Sequence, residues 1–378
     1  MMGAAPVPAS RISVVPWVGG RTERYELIGK IAAGGMADIF LARDAEDGAT
    51  SVIKRLLPRW GSDREVLGLF EQEIRLGLIL DHQNLVRASE GGVLGGLPFL
   101  AMEHIPGLNA IQLLRTSHLA RRSVDVSTVV RIGLDLLSAL EHVHQAVGAD
   151  GQPLQIVHRD VSPANILIRE DGVAKLIDFG VAMTRATPPQ RPGVLRGKVA
   201  YIAPEQFRGG PVDAAGDVWS AGVVLWELLA GCALFHHPAQ TELIAQVLRA
   251  PIAPIGSRRA DVPEALGAVV AKLLARDRAV RYASAGEAHD ALAGCASRLR
   301  LDLRRSSVVE SIAALRHSAA FPDALPRAVS RPPPAALEPP VVSEPNEKRK
   351  LAGLAAVLRL TSSRVAKVLG RAAVASSR

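Results

Sequence analysis

His158-Arg159-Asp160-Val161-Ser162-Pro163-Ala164-Asn165 is followed, thirteen residues after its asparagine, by Asp178-Phe179-Gly180. Between them lie two short β-like pieces, 166–168 and 174–177, so Asp160, Asn165 and Asp178 all fall in segments that flank short strands. The surrounding sequence is helical in its apolar spacing, as in 129–143 and 218–229. Upstream, 25–107 alternates short apolar runs with turn residues and holds one helical stretch, 63–80. The pattern predicts an α+β fold of two lobes meeting near 102–107: a small, mainly β lobe with one helix, then a larger, mainly α lobe. A further helix is expected at 306–318, packed on the large lobe.

A chain of 378 residues, 48% hydrophobic, has ample material for such a core. Two cysteines, Cys232 and Cys295, form no disulfide framework or zinc spacing, which suits a reducing cytoplasm. The first twenty residues are interrupted by Pro6, Pro8 and Pro16 and do not resemble a signal peptide. The apolar run 218–235 contains Ser220 and Glu227 and is expected to be a buried helix, not a membrane span. The formal charge of +8 is local: Lys348, Arg349, Lys350, Arg359, Arg364, Lys367, Arg371 and Arg378 account for all eight charges. Residues 1–347 are therefore formally neutral, and no nucleic-acid partner is expected. Lysine is scarce, eight against thirty-seven arginines, so a lysine at a chemical position carries weight.

The opening stretch resembles the catalytic loop of protein kinases, H-R-D-L-x-x-x-N, and Asp178-Phe179-Gly180 resembles their metal-binding D-F-G. The resemblance covers about residues 24–300, a kinase domain divided near 105/106, and is closest in style to bacterial Ser/Thr kinases of eukaryotic type. It implies ATP and magnesium: Asp160 orients and deprotonates the substrate hydroxyl, and Asn165 and Asp178 bind the metal. Lys54 in Val52-Ile53-Lys54 would pair with the α- and β-phosphates, and Glu73, nineteen residues on, with Lys54. Glu71 is a near neighbour, less well spaced. The phosphate cradle matches residues 31–40: Ile31, Ala32, Gly34, Gly35 and Ile39, with Ala32 and Ala37 in place of two family glycines. Met102 would border the adenine, with the Glu103 carbonyl and the Ile105 N–H bonding its edge. Asp217 should brace the catalytic-loop backbone, and Arg281 should pair with Glu205 of Ala203-Pro204-Glu205.

Two departures belong together. Kinases acting on Ser/Thr usually carry a lysine two residues after the catalytic Asp, where this chain has Ser162. They also usually carry Gly-Thr ahead of A-P-E, where this chain has Gly197-Lys198. Hydroxyl and ammonium have exchanged places, which predicts that Lys198 reaches Asp160 and the γ-phosphate while Ser162 supplies the hydroxyl contact. The rival expectation is a pseudokinase, a nucleotide-binding scaffold in signalling, suggested by Ala32, Ala37 and Ser162.

Arg159 resembles the arginine that pairs with a phosphorylated activation loop, for which Thr184 and Thr187 are unranked candidates. Pro163 resembles Ser/Thr kinases more than tyrosine kinases. His142, His144, His236 and His237 lack an accompanying acid or cysteine cluster and are expected to be surface or satisfied histidines. Residues 1–23 are expected to be a flexible lead, 301–320 a helical extension and 321–346 a proline-rich linker. The end, 347–378, reads as a basic amphipathic tail with helical spacing, either a weak membrane or partner contact or a solvated end.

Overall fold

The structure, a computed structural model, describes residues 24–185 and 196–319. Its first part is a five-stranded antiparallel sheet of β1 (Tyr25–Ala33), β2 (Ala37–Asp44), β3 (Thr50–Leu56), β4 (Ala88–Leu94) and β5 (Leu97–Glu103), in the order β1-β2-β3-β5-β4. Strand alternation sorts its side chains onto two faces. Ile53, Phe99 and Ala101 join Tyr25 and Ala42 on one face, while Leu56 and Leu100 meet Phe70 and Ile74 on the other. The latter pair belongs to α1 (Arg64–Ile79), which starts where the Asp63 carboxylate accepts the N–H groups of Glu65 and Val66 at 2.9 and 3.1 Å. Helix and sheet approach so closely that a Cβ at Gly91 would sit 2.2 Å from Ile74 Cγ2.

The chain then becomes mainly helical: α2 (Ala110–Ala120), α3 (Val126–His144), α4 (Pro204–Phe207), α5 (Ala214–Ala230), α6 (Gln240–Arg249), α7 (Glu264–Leu273), α8 (Ala285–Arg298) and α9 (Arg305–Ser318). A small antiparallel sheet, β6 (Gly107–Asn109), β7 (Ile166–Arg169) and β8 (Ala174–Leu176), frames the segment between Asp160 and Asp178. Every residue from Gly216 to Leu229 of α5 is buried, which explains why its sequence imitates a membrane span. Among the described residues no helix is long and apolar enough to cross a membrane. Val308, Ile312 and Leu315 of α9 are buried in the same core as α2 and α3. The fold is α+β, a β-sheet lobe followed by a helical one. Residues 1–23, Thr187, the proline-rich stretch 321–346 and the basic end 347–378 lie outside the described residues.

Candidate active site

Lys54 projects from the centre of β3 and is buried, as is Glu73 on α1. Its Nζ donates to Glu73 Oε1 at 2.5 Å and to Asp178 Oδ1 at 2.8 Å, so the strand, the helix and the segment after β8 meet at one ammonium. Burial opposes the charge, but Asp178 and Glu73 together hold the lysine above its ordinary range. Burial likewise works against the Asp178 carboxylate, and Lys54 outweighs it, holding the group well below the usual carboxylate range. Glu71 points elsewhere and pairs with Arg75.

The 158–165 loop hangs from α5. Asp217 accepts the backbone N–H of His158 at 2.8 Å and of Arg159 at 2.9 Å. His144, at the end of α3, adds a contact of 2.8 Å to the same carboxylate. Burial opposes the Asp217 charge, but these partners hold its carboxyl below the usual range. Arg159 and Asp178 both occupy the left-handed region, φ 65° and 71°, a conformation costing about 1–3 kcal/mol at a non-glycine residue. Local bonds fix them there: the Arg159 guanidinium donates to the carbonyls of Val181 and Ala182, and Asp178 Oδ1 accepts the Gly180 N–H at 3.0 Å. His158 and Phe179 pack ring to ring, 5.0 Å apart, and join the two segments.

Asp160 sits between Asn165 and Lys198. Asn165 Nδ2 donates to the Asp160 carbonyl at 2.8 Å and to Oδ2 at 2.7 Å. Lys198 Nζ lies 3.1 Å from Asp160 Oδ1, 2.9 Å from Oδ2 and 2.9 Å from Ser162 Oγ. The ammonium thus bridges the two departures noted in the sequence, from a segment thirty-six residues downstream of Ser162. Gly197 makes this approach possible: its φ is 101°, and a Cβ there would lie 2.3 Å from the Arg159 carbonyl oxygen. For magnesium, the amide oxygen of Asn165 and Oδ2 of Asp178 are the remaining donors. The Ile177 N–H donates to the Asn165 backbone carbonyl at 3.0 Å, which joins the two segments, and an amide oxygen together with a carboxylate held ionised fits that metal's preference for oxygen ligands.

Around this centre, Gly34 and Gly35 form the β1–β2 turn, with Ala32 opposite Ile39 and Ile31 beside them. Met102 and Glu103 end β5, and Ile105 is buried just beyond. Met183, the residue before Thr184, pairs through its backbone with Val157, two residues before Arg159, in the segment that leaves Asp178. Burial and then the neighbouring Arg196 push the Arg159 guanidinium down to about 10. His142 stacks on His82, and His144 serves Asp217. Among the described residues no three His, Cys, Asp or Glu side chains group to hold a metal.

Lys175 is a buried neighbour of the site that no sequence motif marks. Buried in β8, it donates to the Leu85 carbonyl at 3.1 Å and to Glu103 Oε1 at 2.5 Å, tying the end of β5 to the strand that precedes Asp178. Lysine scarcity was the one signal available for it. Glu205 and Arg281 form a buried bidentate pair at 2.8 and 3.0 Å.

Residues 25–292 match the family described as protein kinase domain. The tyrosine-protein kinase MasK of Myxococcus xanthus (strain DK1622) is 36% identical over 272 residues, 71% of this chain and 42% of that protein. The serine/threonine-protein kinase PknB of Mycolicibacterium smegmatis is 32% identical over 319 residues, 80% of this chain and 49% of that one. The serine/threonine-protein kinase PknL of Mycobacterium tuberculosis H37Rv is 34% identical over 263 residues, covering 69% and 63%. This chain spans about half the length of the first two relatives. Their names divide between tyrosine and serine/threonine kinases, but the match over the whole two-lobed region is to one family. The chain belongs to the protein kinase family.

Proposed function

We propose that this chain transfers the γ-phosphoryl group of ATP to serine and threonine hydroxyls of proteins, and that Lys198 supplies the cation its catalytic loop lacks. The observation that carries this reading is the triple contact of Lys198 Nζ with both Asp160 oxygens and Ser162 Oγ. Lys54, fixed by Glu73, holds the α- and β-phosphates. Asp160 orients the acceptor hydroxyl and takes its proton as the new O–P bond forms and the bond to the β-phosphate oxygen breaks, releasing ADP. Lys198, beside Asp160, faces the charge that develops on the γ-phosphoryl oxygens. Asn165 and Asp178 would hold magnesium, which would supply neutralisation of the phosphate charge. Ile31, Ala32, Gly34, Gly35 and Ile39 cover the phosphates and base, and Met102, Glu103 and Ile105 line the adenine edge.

Pro163 supports Ser/Thr over Tyr specificity. The closeness of Arg159 and Arg196 supports phosphorylation of Thr184 or Thr187 as an ordering signal. Two free cysteines suit a reducing cytoplasm. A second reading, a nucleotide-binding pseudokinase, is favoured by Ala32, Ala37 and Ser162. Phosphoamino-acid analysis after incubation with γ-labelled ATP and magnesium separates the possibilities. Label on Ser or Thr is the expected result. Label on Tyr overturns the specificity, and bound nucleotide without any transfer makes the chain a scaffold.

A further inference from the structure

At the tip of the β1–β2 turn, the Gly35 carbonyl accepts two side-chain donors from the 3-10 turn Pro58–Trp60: Arg59 Nη2 and Trp60 Nε1, each at 2.8 Å. The Arg59 guanidinium also lies over the Trp60 ring, 5.5 Å from its centroid. One residue on, the Met36 carbonyl accepts the Leu57 N–H at 2.9 Å, and Met36 and Trp60 pack on the cluster that contains Leu56 and Phe70. The phosphate-covering turn is thus tied at its tip to the connection between β3 and α1.

We propose that Arg59 and Trp60 are positioning residues that aim this turn at the nucleotide phosphates. The inference rests on the nucleotide-binding reading above. In a trans peptide the carbonyl and the following N–H point in opposite directions. Holding the Gly35 oxygen against Arg59 and Trp60 therefore turns the Met36 N–H to the other side of the turn, as a donor for phosphate oxygen. It also removes a partial negative charge from the face that must meet an anion, and it places a guanidinium at the tip. Ala32 and Ala37 already restrict the two flanks of the hairpin, so the Gly34-Gly35 pair is the freest part of it. The latch fixes that part. Because Pro58–Trp60 leads directly into α1, the turn and the helix bearing Glu73 are linked.

Calorimetric binding of ATP and of adenosine to the full chain tests the latch without requiring turnover. Trp60→Phe keeps the ring and deletes the donor; it is expected to weaken ATP about fivefold, the loss of one hydrogen bond. Arg59→Met, at an exposed position, deletes a charged donor and is expected to cost about tenfold. Adenosine affinity should stay at the wild-type value in both, because the turn acts only through phosphates. An adenosine-to-ATP affinity ratio equal to wild type in both variants overturns the latch, as does a parallel loss of both ligands. A wild-type chain that binds ATP no better than adenosine is a different failure: it overturns the phosphate-binding reading, and the latch with it.

Discussion

Lys198→Ala removes one ammonium that contacts three oxygens at 2.9–3.1 Å, and leaves the backbone of its segment in place. Loss of a single group aimed at transition-state charge costs about 2.7–4 kcal/mol, a fall of about 10²–10³ in kcat. Lys54, the proposed partner of the α- and β-phosphates, remains, so KM for ATP should change little and the loss should fall on kcat. Stability should hardly move, because the Lys198 side chain is 37% exposed and an ion pair of that kind is worth about 0–1 kcal/mol. Initial rates with γ-labelled ATP, beside thermal melts of the same preparations, separate these effects. The exchange makes a stronger demand. Ser162 is 1% exposed, so Ser162→Lys alone forces a second ammonium against Lys198. That single variant should be poor, whereas Ser162→Lys combined with Lys198→Thr should recover activity to within about tenfold of wild type, a coupling that additive effects cannot produce. Full activity in Lys198→Ala refutes the reasoning outright.

Arg281 has a fully buried side chain and binds both Glu205 oxygens together with the carbonyls of Ala215 and Ala275. Arg281→Met leaves Glu205 buried without its partner, at a cost of about 3–5 kcal/mol. At about 2–4 °C per kcal/mol for a domain of this size, Tm should fall by at least 6 °C, and a fall under 2 °C contradicts the pairing. Acid should also destabilise the fold. Burial holds His82 and His142 below the ordinary histidine range, with His82 lowered further by His142. Groups so lowered bind fewer protons folded than unfolded, so their contribution is lost as pH drops below the unfolded value of about 6.5. Between pH 7.5 and 5.5 the wild type should lose more Tm than His82→Gln/His142→Gln. Equal losses in the two proteins count against this assignment.

Much of the architecture is legible in the sequence because its signals are local. The 63–80 periodicity and the Asp63 cap specify α1, and the apolar run after Asp217 specifies α5, whose burial follows from its lack of a polar face. The juxtaposition of Lys198 with Ser162 is legible for another reason: two departures from one family pattern are chemically complementary. Contacts made through tertiary geometry alone carry no such signature. Nothing in the spacing of Lys175 announces its bond to Glu103, and nothing in Arg59-Trp60 announces a carbonyl twenty-four residues upstream of Arg59. His144 is similar: on α3 it looks like any helix-end histidine, and its role is set by Asp217 arriving from α5.

Phosphoryl transfer itself tests the central claim most directly. Purified chain given γ-labelled ATP and magnesium should incorporate label into protein, while Asp178→Asn, which removes a carboxylate that binds Lys54 and belongs to the proposed magnesium site, should incorporate about 10²-fold less or none. Label in neither protein, or equal label in both, contradicts the account.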